Sequence, residues 1–420
     1  PPDHLATDDR RPLVVPLVSA LPVVMVDQWG ADESAERNRF GETRRLRQLL
    51  APVTARQGRD PQPIRIRHVK FDQIDRELLK DARLVVIAGV RSPEPGANVS
   101  LLREYVEQGG SLILAAGGDF DPAEWDRIAW QDGQGILPLP LKPEAVGALP
   151  TETAKRLQPF QLDVSSLEHE CFTLEQTPRE ECEALYRLPF FFKAVEADVS
   201  PATIERMTNN SADAPEKPLP RVLARFTNQV PFLVERDVGQ GHMLFLATGI
   251  FREWNTLTST DAIVLLDRMV RRLLEQTLPP RNLASTGQMV LPVASELRSA
   301  RLGLIDPAGH EAPAAVDALG GDRYGVTIGN LDQRGVWRLV GRASPDDGSQ
   351  GGDAKVLDVP LAAAGPAEES ELRCLDEAGL RERLSDSEFR WVGPDDSIRI
   401  APGPVGARDF WKWLMSAVLV

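Results

Sequence analysis

The sequence predicts an α/β protein in which a doubly wound parallel sheet is followed by a small β-sandwich. Three observations predict this class. Apolar strands alternate with amphipathic helices through the first third, an apolar hairpin and a long helix follow, and short strands between Gly, Asp and Pro turns fill residues 288–360. Strands in alternation with helices are typical of a parallel sheet buried on both faces, whereas short strands without helices favour a sandwich.

The elements of the first part can be assigned from the spacing of their apolar residues. Their predicted order is a strand at 21–30, a helix at 33–52, strands at 64–74 and 81–90, a helix at 100–110, strands at 111–118 and 221–228, a hairpin at 230–249 and a helix at 259–276. Gly239 and Gly241 carry the hairpin turn, and residues 133–220 are irregular. We therefore expect an α/β domain at residues 20–285, after an N-terminal extension at 1–19.

The second half of the chain changes its pattern. Residues 288–360 predict an immunoglobulin-like β-sandwich, and a tail at 361–408 contains an amphipathic helix at 369–384. The last segment, "DFWKWLMSAVLV" (409–420), is aromatic and then wholly apolar. It predicts the start of a transmembrane helix with an interfacial aromatic belt, and the alternative is a terminal strand or helix that packs on the β-domain.

Composition excludes several classes of protein. A net charge of −14 and a pI near 5.0 argue against a nucleic-acid partner, because a phosphate-binding surface needs an excess of Lys and Arg. Three cysteines without a C-x-x-C motif indicate neither a disulfide scaffold nor a zinc module. Cys171 and Cys182 are eleven residues apart and are compatible with a disulfide bridge or with two small buried side chains.

The segment "GGSLILAAGGDFD" (109–121) is a strand between two glycine turns, where many α/β hydrolases carry their nucleophile. The tip of this turn is Ala116, Gly117 and Gly118, and no Ser, Cys or Thr is among them. Small residues let the backbone pack closely against a neighbouring segment. The sequence therefore predicts a degenerate nucleophile elbow and no catalytic residue.

Acidic residues follow this turn at Asp119, Asp121, Glu124 and Asp126. Four carboxylates in eight residues could hold a hard cation. A helix start explains three features of the segment, with Asp121 as N-cap, Pro122 at the first helical position and Glu124 at the third. Because the ligands lie on one short segment that lacks the pattern of a calcium loop, we predict no metal. The sequence also has no P-loop, and "VGQGH" lacks the strand-then-helix setting of a dinucleotide fingerprint, so we predict no cofactor.

The five histidines are scattered along the chain. His242 opens a strand and is expected to be a strand-edge or hydrogen-bonded core residue. His169 and Cys171 form a local Cys/His grouping, but neighbours on one segment seldom point at each other, which disfavours a nucleophile pair. "DVSSL" (163–167) lacks the second spaced serine of a metal-binding D-x-S-x-S motif, because Leu167 occupies that position.

Taken together, "VVMVDQWG", "ARLVVIAGV", "LLREYVEQGGSLILAAGGDFD", "VLARFTNQVPFLVERDVGQGHMLFLATGIFREWN" and "ESELRCLDEAGLRERL" resemble the C-terminal half of bacterial aerotolerance-operon-like membrane proteins. Those proteins combine membrane helices and a von Willebrand A domain with a class I glutamine amidotransferase-like domain and a β-domain. The resemblance covers most of the chain and implies a flavodoxin-like sheet. It places Ala116 at the amidotransferase cysteine, and "ATGIFREWN" (247–255) offers Glu253 but no histidine, which implies that glutaminase chemistry is lost.

The function we expect from the sequence is a non-catalytic binding or scaffolding region of a membrane-anchored bacterial envelope protein. Its soluble part would be periplasmic. Its partners would be other envelope proteins or domains of the same full-length chain, and flanking segments would contact the membrane. The alternative is a hydrolase with a rearranged site at the C-terminal ends of the strands, where ligands bind in open α/β sheets. Asp27, Asp119 and Glu253 would form that pocket.

Overall fold

The computed structural model describes most of the chain. The described residues are 10–18, 20–52, 63–152, 158–210, 219–251, 253–278, 280–284, 287–293, 297–298, 300–320, 323–329, 331–342, 355–365, 377–384, 389 and 391–392. The chain divides into two compact units, Pro12–Ala364 and a second made of Pro1–Arg11 with Gly365–Val420. Within the described residues, all the strands lie in the larger unit, and the helix of the smaller unit is Glu377–Arg383.

A seven-stranded sheet forms the first part of the larger unit, in the order β2-β1-β3-β4-β9-β8-β7. The strands are β1 Leu21–Val26, β2 Ile64–Val69, β3 Leu84–Ala88, β4 Ser111–Ala115, β7 Arg221–Arg225, β8 Pro231–Val238 and β9 Gly241–Leu246. The first five strands in the spatial order are parallel, and β8 and β7 continue the sheet in antiparallel pairing. The hairpin turn lies between β8 and β9, as the glycines predict.

Helices α1 to α7 accompany this sheet. They are α1 Arg44–Leu50, α2 Arg76–Lys80, α3 Ala97–Glu107, α4 Pro122–Ala129, α5 Arg179–Tyr186, α6 Pro201–Asn210 and α7 Val264–Gln276. Helix α1 packs against α7, and α2 packs against α3. Every residue of β3 and β4 is buried, so these two strands form the centre of the core. Each fully buried aliphatic side chain there contributes about 1.5–3 kcal/mol.

Helix α1 is shorter than the sequence predicts. The apolar spacing over 33–52 predicts one helix, but the helix begins at Arg44. The backbone of Gly41 lies directly against the Asp27 carboxylate, and Asn38 has a φ of 53°. These contacts hold the chain before α1 in turns, which local spacing alone cannot reveal.

The irregular region between α4 and β7 contains regular structure that the sequence analysis missed. Strand β5 (Leu141–Gly147) pairs antiparallel with β6 (Lys193–Ala197), and α5 and α6 lie in the same region. Phe191 contacts Phe226 and Phe232, with ring centroids 5.0 and 5.6 Å apart. These aromatic contacts connect the region to the sheet.

Two further sheets complete the larger unit. One has the order β10-β17-β16-β12-β13 and the other β11-β15-β14. Their strands are β10 Asn282–Ala284, β11 Gln288–Val293, β12 Arg301–Ile305, β13 Glu311–Ala314, β14 Asp317–Gly320, β15 Arg323–Gly329, β16 Gly335–Arg342 and β17 Lys355–Ala364. Leu291 and Val326 from the smaller sheet share a second hydrophobic core with Leu339 and Leu361 from the larger one. The molecule is thus a mixed α/β protein with several sheets, and the domain boundaries at 20–285 and 288–360 stay a prediction.

Candidate functional site at the carboxyl edge of the seven-stranded sheet

Parallel strands β1, β3, β4 and β9 end at one edge of the sheet, the edge where ligands bind in open α/β sheets. The residues that follow these strands are Asp27, Gly89, Ala116 and Ala247. Parallel pairing brings these chain ends together although they are far apart in sequence. This edge is therefore the first place to look for a functional site.

Asp27 is buried at this edge, with 1 % of its surface exposed. Its carboxylate accepts hydrogen bonds from Thr43 Oγ1 at 2.6 Å and from the Gly30 N–H at 2.9 Å, and it lies 2.9 Å from His68 Nε2. Burial by itself raises the pKa of Asp27, but the hydrogen bonds to His68 and Thr43 outweigh burial and hold the pKa at about 2. Asp27 therefore fixes the loop before α1 as a buried carboxylate.

Glu42 is a second buried carboxyl group, 2 % exposed, and the sequence analysis did not single it out. Its Oε1 accepts a hydrogen bond from the Phe251 N–H at 2.9 Å. Burial raises the pKa of Glu42 to about 8, and the nearby charges of Glu253 and Asp27 add to the rise, while backbone hydrogen bonds oppose it. Glu42 is therefore mainly a neutral acid at pH 7.

The side chain of Glu42 lies among three glycines at the strand ends. A Cβ atom added to Gly117 or Gly249 would overlap with the Glu42 carboxyl group, and one added to Gly89 would lie 2.8 Å from the Glu42 Cβ. Gly89 and Gly117 also have positive φ angles of 63° and 110°. The glycines thus make the space that Glu42 occupies, and a side chain at any of them would compete for it.

The residues predicted from the sequence differ in how they are placed relative to Glu42. Ala116 is fully buried and its N–H donates to the Leu246 carbonyl, so it continues the sheet pairing. The left-handed backbone conformation occurs at Gly117 and at Gly118, whose φ is 50°. The turn therefore begins one residue after Ala116, the predicted nucleophile position. Glu253 is exposed but near enough for its charge to affect Glu42.

Asp119 differs from Asp27 in burial and from Glu253 in its effect on Glu42. It is exposed, and it is not among the groups that shift the pKa of Glu42. The charges of Asp27 and Glu253 thus act on Glu42, whereas Asp119, which is exposed as Glu253 is, is not among the causes of the raised pKa. No local signal in the sequence marks Glu42, because its surroundings come from three separate strand ends.

The loop after β9 is fixed beside Glu42 by buried hydrogen bonds. Asn255 is fully buried; its Nδ2 donates to Thr248 Oγ1 at 3.1 Å and to the Gly249 carbonyl at 2.7 Å, and its Oδ1 accepts from the Leu257 N–H. Trp254 Nε1 donates to the Gly118 carbonyl at 3.2 Å. The loop is thereby held against the turn after β4.

The His169 and Cys171 side chains do point at each other, contrary to the sequence-based expectation. His169 Nδ1 lies 3.2 Å from Cys171 Sγ and also accepts from the Cys171 N–H. Burial raises the pKa of Cys171 to about 12, so the sulfur stays a thiol at neutral pH. A nucleophilic cysteine needs a thiolate, and this pair lacks that property. Cys171 and Cys182 are both free and buried, which excludes the disulfide alternative.

Three groups beside the hairpin could together present metal-ligand atoms. Ligand atoms of Glu235, Asp237 and His242 lie within 4.8 Å of one another. Glu235 is fully buried and accepts hydrogen bonds from Arg221 at 2.5 Å and from Arg272 at 2.6 Å. Two guanidinium groups on one carboxylate repel a divalent cation, so this cluster fits a charge network better than a metal centre.

Comparisons with known proteins leave the function open. No known family and no curated protein matches the sequence. Two cytoplasmic proteins of Salmonella typhimurium, one from strain LT2, are similar in structure at 13 % and 14 % identity, with TM-scores of 0.39 and 0.38; each match covers 60 % of this chain and 99 % or 97 % of the other. A β-galactosidase from Bacillus circulans sp. alkalophilus matches at 14 % identity and a TM-score of 0.33, over 74 % of this chain and 41 % of the enzyme.

The expected location, anchored in a membrane with the soluble part in the periplasm, is contradicted. Among the described residues, no helix has both the length and the apolar character needed to cross a bilayer. The segment at 409–420, for which a transmembrane start was predicted, lies outside the described residues.

Proposed function

We propose that this chain is a non-catalytic binding or scaffolding module built on a degenerate amidotransferase-like sheet. The observation that carries this proposal is the position of Glu42. At the sheet edge where an α/β enzyme would hold its reacting group, the Glu42 side chain fills the space among Gly89, Gly117 and Gly249. The Glu42 carboxyl group accepts a backbone hydrogen bond there, and the turn itself, Ala116 to Gly118, carries no nucleophilic side chain.

We also propose a flavodoxin-like, class I glutamine amidotransferase-like fold for the α/β part. The spatial order of its parallel strands, β2-β1-β3-β4-β9, supports this assignment, because flavodoxin-like sheets have the order 2-1-3-4-5. The two sheets around the second core support an immunoglobulin-like β-sandwich at 288–360. The resemblance to aerotolerance-operon-like proteins remains part of this proposal, with another protein, or another domain of a longer chain, as the partner.

Glutaminase assays test the central claim. Purified protein is expected to release no ammonia from glutamine, and a glutamine-analogue electrophile is expected to label none of the three cysteines. An active class I amidotransferase in the same assay is the control. Turnover together with labelling at Cys171, Cys182 or Cys374 would overturn the proposal.

A second candidate function is a hydrolase that uses Glu42 as a general acid. The raised pKa of Glu42, about 8, favours it, because a carboxyl group that stays protonated at neutral pH can donate a proton to a leaving group. Chromogenic esters and glycosides distinguish the two functions. If the protein is a hydrolase, its activity should be lost in the Glu42→Gln variant and should fall above pH 8. If it is a binding module, neither the wild type nor the Glu42→Gln variant should turn over these substrates.

A further inference from the structure

A buried arginine on β8 has no acidic partner among the described residues. Arg236 is 7 % exposed, its Nη1 donates to the Gly133 carbonyl at 3.1 Å, and its Nε has no hydrogen-bond partner there. Burial lowers the pKa of Arg236 to about 10, and the charge of Arg103 adds to the effect. A buried guanidinium without a counter-ion is costly, and charged groups in protein interiors are normally paired.

Arg236 lines a cavity of about 350 Å³. Its wall is formed by the end of α4, the following turn, the end of β6 and helix α6; beside Arg236 it includes Asp126, Trp130, Asp198, Thr203 and Arg206. Cavities of this volume are at the small end of the range for small-molecule sites. The cavity shares no lining residue with the group around Glu42, so it is a separate place on the molecule.

Asp126 gives the same cavity a carboxylate without a cation. Its Oδ1 accepts from the Leu141 N–H at 2.7 Å, and no Lys or Arg among the described residues pairs with it. Burial raises the pKa of Asp126, and the charge of Asp198 adds to the rise. Asp198 itself is occupied by Ser200 and Thr203, which donate hydrogen bonds to it. Asp132 also lines the cavity but is exposed, so Asp126 is the half-buried carboxylate with spare acceptor capacity.

Arg236 and Asp126 form no ion pair with each other although they line one cavity. Because Arg236 is a cation and Asp126 an anion, the two groups together are complementary to a ligand that carries one negative and one positive charge. We propose that this cavity binds a small zwitterion, an amino acid or a short peptide, with its carboxylate on Arg236 and its ammonium group on Asp126. The lining carries three carboxylates, Asp126, Asp132 and Asp198, against two arginines, Arg206 and Arg236. Inorganic phosphate suits the cavity less well, because the carboxylates would repel its second negative charge.

Calorimetry and thermal shift with the full chain test this proposal. The probes are the free amino acids and simple dipeptides such as Gly-Gly, followed by the N-acetyl and amide derivatives of the best binder. We expect saturable binding, a ligand-dependent rise in Tm, and at least a tenfold loss of affinity when either charge of the ligand is blocked.

Variants assign the two charges of the ligand. Arg236→Met keeps the apolar stem and removes the cation, and we expect it to stay folded and to lose affinity at least tenfold. Arg236→Lys keeps a positive charge but loses the planar guanidinium that can bind a carboxylate through two N–H groups. We expect a severalfold loss of affinity. Asp126→Asn should weaken binding of the free amine and leave the weak binding of the N-acetyl derivative unchanged. Arg127→Met, an exposed arginine on the same helix as Asp126, is the matched control and should bind as the wild type does.

Three outcomes would overturn the proposal. The first is the absence of saturable binding by every probe. The second is unchanged affinity in folded Arg236→Lys and Arg236→Met proteins. The third is binding of inorganic phosphate in preference to every zwitterion. None of these results bears on the glutaminase assay, so failure of this site and failure of the proposed function can be told apart.

Discussion

At the scale of single residues, two buried carboxyl groups at one sheet edge have opposite titration behaviour. Asp27 accepts several hydrogen bonds and stays ionised, whereas Glu42 lies among glycines and beside two other acidic groups and stays protonated. Both groups couple the stability of the fold to pH, in different windows and with different signs.

The first prediction concerns Glu42. Its pKa in the folded protein, about 8, is above its ordinary value of 4.5, so the stabilising contribution is complete below pH 4.5 and is lost as the pH rises through 8. The urea concentration at half-unfolding should therefore fall for the wild type as the pH is raised from 5 through 7 to 9. It should change less for Glu42→Gln. Exposed Glu77→Gln is the control and should follow the wild type. Parallel curves for Glu42→Gln and the wild type would contradict the assignment.

The second prediction concerns Asp27. Its pKa in the folded protein, about 2, is below the ordinary 3.8, so its contribution is present above pH 3.8 and is lost as the pH falls toward 2. At pH 7, Asp27→Asn should cost about 2–3 kcal/mol, because hydrogen bonds to the charged carboxylate are lost. Chemical denaturation measures this cost. An Asp27→Asn protein as stable as the wild type at pH 7 would show that the carboxylate has no such role.

The third prediction concerns Gly117. Gly117→Ala combines an unfavourable φ of 110° with overlap against the Glu42 carboxyl group, while Gly309→Ala has a φ of 93° and open space around its Cβ. We expect Gly117→Ala to cost about 1–3 kcal/mol more than Gly309→Ala, the usual cost of overpacking. A double-mutant cycle with Glu42→Ala should recover part of that difference. Equal costs for the two alanine variants would mean that Glu42 does not fill this space.

At the scale of elements, helix α4 starts as its sequence predicts. Asp121 accepts hydrogen bonds from the N–H groups of Ala123 and Glu124, and Pro122 occupies the first turn. Asp121→Ala is expected to cost about 1 kcal/mol, the usual value of an N-cap, whereas exposed Asp119→Ala should change stability by less than about 0.5 kcal/mol. Thermal denaturation measures both, and a larger loss for Asp119→Ala would show that this carboxylate stabilises the fold through a contact of its own.

Helices and strands could be predicted from the sequence where a single short stretch of residues carries the whole pattern. The strands β1, β3 and β4, the β8–β9 hairpin and the cap of α4 are all visible as apolar runs, paired glycines or a capping pattern. Elements in the region 133–220 were missed, because β5 is largely exposed and its pairing with β6 spans about 50 residues.

The candidate sites were harder to predict for a related reason. Glu42 becomes informative only when Gly89, Gly117 and Gly249 come together from three strand ends. Arg236 and Glu235 stand inside an apolar strand, where charged residues are usually expected to face water, yet both are buried. Burial of a charge is a property of tertiary packing, and one sequence carries no local mark of it.

At the scale of the whole molecule, the larger unit contains two hydrophobic cores. One surrounds the seven-stranded sheet, and the other lies between the five-stranded and three-stranded sheets. Strand β17 is central to the second core, because it pairs with both β10 and β16 and buries Leu361 completely. The two cores share none of their buried residues, which favours separate responses to core mutations.

Hydrogen exchange with peptide-level resolution tests this separation. Leu361→Ala should destabilise the second core by about 2–5 kcal/mol, through lost burial and the cavity that remains. Faster exchange is then expected in β11, β15, β16 and β17, and unchanged exchange in β3 and β4. Leu112→Ala, in the fully buried strand β4, is the reciprocal variant and should accelerate exchange around the first core alone. If either substitution accelerated exchange equally in both cores, residues 12–364 would unfold as one cooperative body and the two-domain division would be wrong.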